Sequence, residues 1–324
     1  MTSDRVDALV DGEPALSLRA LRRTFGARVA VDDLSLDVSR GELFGIVGPD
    51  GAGKTTTLRM LAGVLRPSSG EAWVDGVDAA RQPERVKPRI AYMAQRFGLY
   101  EDLTVRENLD FYADLYRVPR TDRPERYARL YAFSRLAEFE DRLAGKLSGG
   151  MKQKLSLSCC LVHRPRVLLL DEPTFGVDPI SRRELWLILH EMVAEGVTVV
   201  VSTSYLDEAE RCDRVVLLDE GRVLALDTPG GLQASLDGTM VAVRVERARE
   251  ARDVLRAHPR VCSAVLFGDA VHALVADRDD AEALRRALAD AGIDGAETEV
   301  IAPALEDVFI HLVRRRDASG GAAA

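Results

Sequence analysis

The sequence predicts an α/β protein built around a largely parallel sheet, followed by a smaller α+β domain, and three observations carry this. From residue 16 to about Ser235, short apolar runs alternate with amphipathic stretches long enough for helices. From Met240 the rhythm changes. Strands at 240–245, 263–267, 271–275 and 298–301 are interleaved with helices at 248–257 and 281–291, a βαββαβ order that fits a small ferredoxin-like sandwich. The length, 324 residues with 47% hydrophobic and 30% charged, suffices for two globular domains.

Residues 1–15 carry Asp4, Asp7, Asp11 and Glu13 without an apolar stretch, and read as a flexible tail, not a secretory signal. A net charge of -8 and a pI near 5.3 argue against a surface that neutralises many phosphates, so no nucleic-acid partner is expected. No segment offers the ~18 uninterrupted apolar residues of a membrane span. Cys159, Cys160, Cys212 and Cys262 show no metal-ligand spacing, which suits a reducing, cytosolic setting. The turn-rich Asp227-Thr228-Pro229-Gly230-Gly231 reads as the exit from the first domain, which is placed at 16–235. The second domain, 236–316, closes with a helix after Pro303, whose Leu305, Val308, Phe309, Leu312 and Val313 share one face. The Gly/Ala-rich residues 317–324 read as a disordered tail.

The chemistry concentrates in the first domain. The apolar strand 43–47 runs into Gly48-Pro49-Asp50-Gly51-Ala52-Gly53-Lys54-Thr55, and a helix-favouring run follows from Thr56 to Leu65. This is a G-x-x-x-x-G-K-[ST] phosphate loop in its strand-loop-helix context. Its glycines let backbone N–H groups turn around a phosphate, the helix N-terminus adds partial positive charge, Lys54 reaches the β- and γ-phosphates, and the Thr55 hydroxyl is placed for Mg²⁺. A second apolar run, 167–170, delivers Asp171 and Glu172 to the carboxyl end of a buried strand, where ligands bind in open α/β sheets. Alone, the pair would be a solvated acidic turn before Pro173. Beside a phosphate loop, Asp171 is assigned to the Mg²⁺ shell and Glu172 to the attacking water. Between the two lies Leu147-Ser148-Gly149-Gly150-Met151, where Ser148 can cap a helix and the glycines leave backbone N–H groups open to an anion.

Taken together and in this order, these motifs resemble the nucleotide-binding subunit of ATP-binding cassette (ABC) transporters, with its LSGGQ-type signature. The resemblance covers about residues 16–235 and implies a P-loop NTPase fold of ABC type with a helical subdomain at about 96–165. It also implies MgATP sandwiched head to tail between two subunits, the partner's Ser148, Gly149 and Gly150 closing over the γ-phosphate. By the same resemblance Phe25 matches the aromatic that stacks on adenine, Gln95 the glutamine that senses Mg²⁺ and water, and Asp178 the loop crossing the dimer interface. Singly, each has a plainer reading as a core aromatic, a solvated loop residue and a turn residue before proline.

The sequence departs from the family where a histidine normally contacts the γ-phosphate, since Ser204 occupies that place. Ser204 and Asp207 also have capping-box spacing, so Ser204 reads either as a helix cap or as a weak γ-phosphate contact. A seryl hydroxyl lacks the charge of an imidazolium, and slow ATP hydrolysis is expected. The segment 98–109 carries a capping box at Thr104 and Glu107, with Val105, Leu109, Tyr112 and Tyr116 on one helix face. That segment and the ending Leu305-Glu306-Asp307-Val308-Phe309 resemble exporters of the ABC-2 type, whose permease is a separate polypeptide. The resemblance therefore implies a second ABC subunit, integral membrane permease subunits, and a peripheral place on the cytoplasmic face of the membrane. Two other readings stand beside it, a hydrolysis-poor partner in a heterodimeric transporter and a soluble ABC ATPase unconnected with transport. His272 and Cys262 read as packing residues and not as ligands.

Overall fold

The computed structural model describes residues 13–320 except 97 and 278, and of residues 318–320 the backbone only. Residues 1–12 of the expected tail, and 321–324 of the expected C-terminal one, lie outside the described residues. The chain divides into two units between Leu226 and Asp227.

In the first unit, β1 (Leu16–Phe25) and β2 (Arg28–Val38) form a hairpin, and β3 (Leu43–Val47) leads through the phosphate loop into α1 (Lys54–Leu61). A hairpin of β4 (Ser69–Val74) and β5 (Val77–Asp78) follows, then α2 (Pro83–Val86) and β6 (Ile90–Met93). Among the described residues the helical insertion carries α3 (Val105–Leu115), α4 (Arg123–Ser134) and α5 (Gly149–Leu161), with two short 3-10 turns between α4 and α5. The chain returns to the sheet with β7 (Val167–Asp171), α6 (Pro179–Ala194), β8 (Thr198–Thr203), α7 (Leu206–Ala209), β9 (Arg214–Asp219) and β10 (Arg222–Asp227).

Among the described residues these strands form two sheets. The larger has the order β10-β9-β3-β8-β7-β6, with β9, β3, β8, β7 and β6 mutually parallel. Every residue of β3 and β7 is buried, which is why both read as unbroken apolar runs. The smaller sheet, β2-β1-β4-β5, is antiparallel and was not anticipated from the sequence. Its inward-facing Leu18, Leu21, Val31 and Ala72 share one core with Phe44 and Ile46 of β3, Leu58 and Met60 of α1, and Val200 of β8.

Local signals for the helices hold. At α3 the Glu107 N–H donates to Thr104 Oγ1 at 3.1 Å and the Thr104 N–H donates to Glu107 Oε2 at 2.8 Å, closing the capping box. Val105 and Leu109 are buried, while Tyr116 emerges at the rim. Ser148 caps α5, accepting from the Met151 N–H at 3.3 Å. Burial pushes the thiols of Cys159, Cys160 and Cys212 up, that of Cys212 to about 12, so none of the three is a thiolate near neutrality.

The second unit opens with α8 (Pro229–Ala234), capped by Thr228, whose Oγ1 accepts from the Gly231 N–H at 2.9 Å. The expected exit turn is therefore the start of a helix, and the division falls nine residues before the expected boundary. Threonine at the cap with proline at the first helical position is a start signal that the glycines had masked. The remaining elements are β11 (Thr239–Arg244), α9 (Ala248–Ala257), β12 (Val261–Phe267), β13 (Ala270–Val275), α10 (Asp280–Asp290), β14 (Glu297–Ile301) and α11 (Leu305–Gly320). The strand order β12-β13-β11-β14, antiparallel throughout, is the ferredoxin-like arrangement expected of βαββαβ. α9 and α10 bury Leu255, Leu284 and Leu288 against Val241, Val243 and Ala273. α11 runs on to Gly320, so residues 317–320 are helical and not part of a disordered tail. His272 is packed as expected, stacked on Phe267 at 4.4 Å and paired through Nδ1 with Asp307 at 3.0 Å, whereas Cys262 is not a packing residue: it lies on the exposed side of β12.

Candidate functional site

The phosphate loop owes its shape to contacts that exclude side chains. A Cβ on Gly48 would lie 2.2 Å from the Leu218 carbonyl oxygen, and one on Gly53 2.5 Å from that of Ala30. Gly53, with φ near +100°, is the N-cap of α1, and no side chain caps the helix or places a carboxylate in its first turn. The first-turn N–H groups have no intrahelical acceptor and are left for an anion.

Lys54 is buried and points back under the loop. Its ammonium donates to the carbonyls of Gly48 at 2.7 Å and Pro49 at 3.1 Å and lies 3.1 Å from Glu172 Oε1. Parallel pairing of β7 with β8 brings the second half of the site alongside. Thr55 Oγ1 donates to Asp171 Oδ1 at 2.9 Å and Ser202 Oγ to the same oxygen at 2.8 Å. Tyr92 OH donates to Asp171 Oδ2 at 3.3 Å, and desolvation together with that carboxylate raises the phenol above its ordinary range, keeping it a neutral donor. Gln95 Nε2 stands 3.5 Å from Glu172 Oε2. Glu172 itself adopts a left-handed backbone, φ 48°, of the kind that collects at functional sites.

Phe25, Asp50, Lys54, Thr55, Thr56, Gln95 and Glu172, with Gly51, Ala52 and Gly53, thus surround one cavity of about 430 Å³. Phe25 is 47% exposed, and Arg23 sits 4.6 Å from the centre of its ring, backing an aromatic platform at the cavity edge. Asp171 lies beneath. The set fits a magnesium triphosphate, because hard oxygens from Thr55 and Asp171 suit Mg²⁺, while Lys54 and the open N–H groups suit phosphate oxygens.

Other expected site residues do not line this cavity. Ser148 and Gly149 are exposed at the start of α5, and Gly150 is buried where a Cβ would meet Ser181 Oγ at 2.2 Å. Asp178 caps α6, accepting from the N–H groups of Ile180 and Ser181 at 3.1 and 3.0 Å, and the Ser181 bonds hold its carboxyl below the usual range. Ser204 does not cap a helix. The cap of α7 is Tyr205, no side-chain cap bond is made, and the Tyr205 N–H donates instead to Thr203 Oγ1 at 3.0 Å. The helix starts one residue too late for the capping-box register, its N-cap falling on Tyr205, which removes the structural alternative for Ser204.

The sequence reading also missed a buried network. Glu208 Oε2 accepts from Thr174 Oγ1 and Thr203 Oγ1, each at 2.8 Å, and Glu208 Oε1 lies 3.4 Å from Arg182 Nε. Arg182 stacks on Tyr205 at 4.6 Å. The ends of β7 and β8 are thereby tied to α6. The available signal was Ser202-Thr203, polar residues closing an otherwise apolar strand.

Comparison with known proteins places residues 31–175 in the ABC transporter family. The chain is 44% identical over 305 residues to the Escherichia coli (strain K12) protein named probable multidrug ABC transporter ATP-binding protein YbhF, covering 93% of this chain but only 52% of that one. It therefore spans about half the length of that relative. It is 38% identical over 313 residues to the Streptomyces coeruleorubidus daunorubicin resistance ATP-binding protein DrrA2, covering 93% of this chain and 96% of that one. A solved dimeric, post-hydrolysis state of the ATP-binding cassette MJ0796, bound to ADP and Pi, matches 66% of this chain and 98% of its own with a TM-score of 0.60 at 25% identity.

Proposed function

The chain belongs to the ABC transporter family of ATP-binding proteins, and from that premise we propose that it binds and hydrolyses MgATP to energise a separate permease in an export system. The observation that carries this reading is the convergence of Lys54, Thr55 with Asp171, and Glu172 with Gln95 at one cavity. Bound MgATP would supply an activated phosphoanhydride. Phe25 stacks on the base, the phosphate loop and Lys54 hold the phosphates, Thr55, Gln95 and Asp171 serve the magnesium shell, and Glu172 orients or deprotonates water. Ser148, Gly149 and Gly150 do not face their own chain's cavity, which supports their completing that of a second ABC subunit in a head-to-tail pair, with Asp178 at the crossing. The names of the relatives, multidrug and daunorubicin resistance proteins, support export.

A groove suits the permease contact. Tyr116 and His163 stack at 3.8 Å beside Leu115 and Val64, 60% and 67% exposed, around a cavity of about 710 Å³ that Tyr92 also lines. Among the described residues no helix is long and apolar enough to cross a membrane, so the permease segments must come from other chains or other parts of the protein. Purifying the tagged protein from detergent-solubilised membranes tests this. A polytopic membrane protein should co-purify, and its loss on replacing Leu115 and Tyr116 by Asp would locate the contact. Recovery of the chain alone under cross-linking opposes the transport role.

Ser204 favours a second reading, a slow or hydrolysis-poor partner of a more active cassette. A charged hydrogen bond exceeds a neutral one by roughly 1 kcal/mol or more. Ser204→His should therefore raise single-turnover cleavage about 5- to 10-fold. An unchanged rate would remove Ser204 as the cause of slow turnover.

A further inference from the structure

We infer that Arg28 is a second phosphate-binding cation of the site, contacting the α- or β-phosphate of the nucleotide. The inference rests on reading the cavity as a MgATP site. Arg28 is the cross-strand partner of Phe25 where β1 turns into β2, so the two side chains share one face of the hairpin. Its guanidinium reaches the phosphate loop. Nη2 lies 3.2 Å from where a Cβ on Gly51 would be, and Gly51, at φ +85°, has none. Arg28 lines the same cavity as Phe25 and Lys54.

What distinguishes this arginine from its neighbours is that it is unspent. Arg19, Arg22, Arg40, Arg89 and Arg222 all form ion pairs, and Arg23 donates to a carbonyl and stacks on Phe25. The Arg28 side chain has no hydrogen bond, ion pair or ring contact among the described residues. Asp50 and Glu172 in the same cavity, and Asp219 and Glu220 in an adjoining one that Arg28 also lines, are the acids around it, and none forms an ion pair with it among the described residues. Lys54, by contrast, is already neutralised by Glu172. A polyphosphate stacked from Phe25 toward Lys54 passes Arg28 on the way, and an unpaired guanidinium there can engage an anion without first breaking an internal pair.

Calorimetric titration of the full chain with MgATP and with MgADP tests the assignment. Arg28→Ala should weaken both nucleotides by about 10-fold, or 1.4 kcal/mol. Arg28→Lys should recover most of the loss, Arg28→Glu should be worse than alanine, and the melting temperature without nucleotide should not move. Wild-type binding with an unaltered Arg28→Ala affinity overturns the assignment, as does a loss confined to MgATP, which would put the contact at the γ-phosphate. Absence of wild-type binding would instead sink the nucleotide reading itself.

Discussion

Lys54→Ala is expected to remove measurable MgATP uptake, a loss of at least about 100-fold, since a charged donor to two phosphates disappears. The structure adds a second consequence. The Lys54 and Glu172 side chains are only 4% and 9% exposed, so removing the ammonium leaves a buried carboxylate unpaired and two loop carbonyls without a donor. Breaking a buried pair from one side costs roughly 3 kcal/mol. The affinity loss must therefore be separated from loss of fold, and the double variant Lys54→Ala/Glu172→Gln does so. It should regain much of the thermal stability that the single variant loses, because the stranded charge is gone, yet still fail to bind. Calorimetry for binding and scanning fluorimetry for stability read the two effects independently. A single variant that binds like the wild type would remove the phosphate-cradle account altogether.

Glu172→Gln is expected to act on turnover instead. The amide keeps the shape and can still hydrogen-bond, but it cannot take a proton from water, so phosphate release should fall by about 100-fold or more. MgATP affinity should change little. With hydrolysis blocked, a nucleotide-sandwiched pair should persist, and light scattering should report twice the monomer mass only when MgATP is present. The wild type should show that mass transiently, or for as long as slow turnover at a Ser204 site lasts. A variant that stays monomeric at saturating MgATP while binding it would contradict a self-paired arrangement and favour a different cassette as partner. One that still hydrolyses at the wild-type rate would move the water-activating role away from Glu172.

The parts of this protein legible in its sequence are those written within a few residues of chain. The phosphate loop, the caps at Thr104 and Ser148, the apolar strands ending at Val47 and Asp171, and the βαββαβ order of the second unit depend on short-range spacing and on burial of runs that can only be strands. Local spacing also misled. Ser204 and Asp207 have the right separation for a cap, but β8 ends at Thr203 and the helix begins only at Leu206, so no cap forms. Glycines at 230 and 231 hid a capped helix.

What only the tertiary structure decided is which distant residues meet. Asp171 was expected near Thr55, but Tyr92 also reaches it across 79 positions and Ser202 across 31, because β3, β8, β7 and β6 lie side by side in an order the chain does not follow. The antiparallel sheet that sets Arg28 opposite Phe25 and over Gly51 is equally invisible in the linear pattern. Strand pairing is decided by how whole faces bury against one another, and a sequence states which faces are apolar without stating which neighbour will cover them.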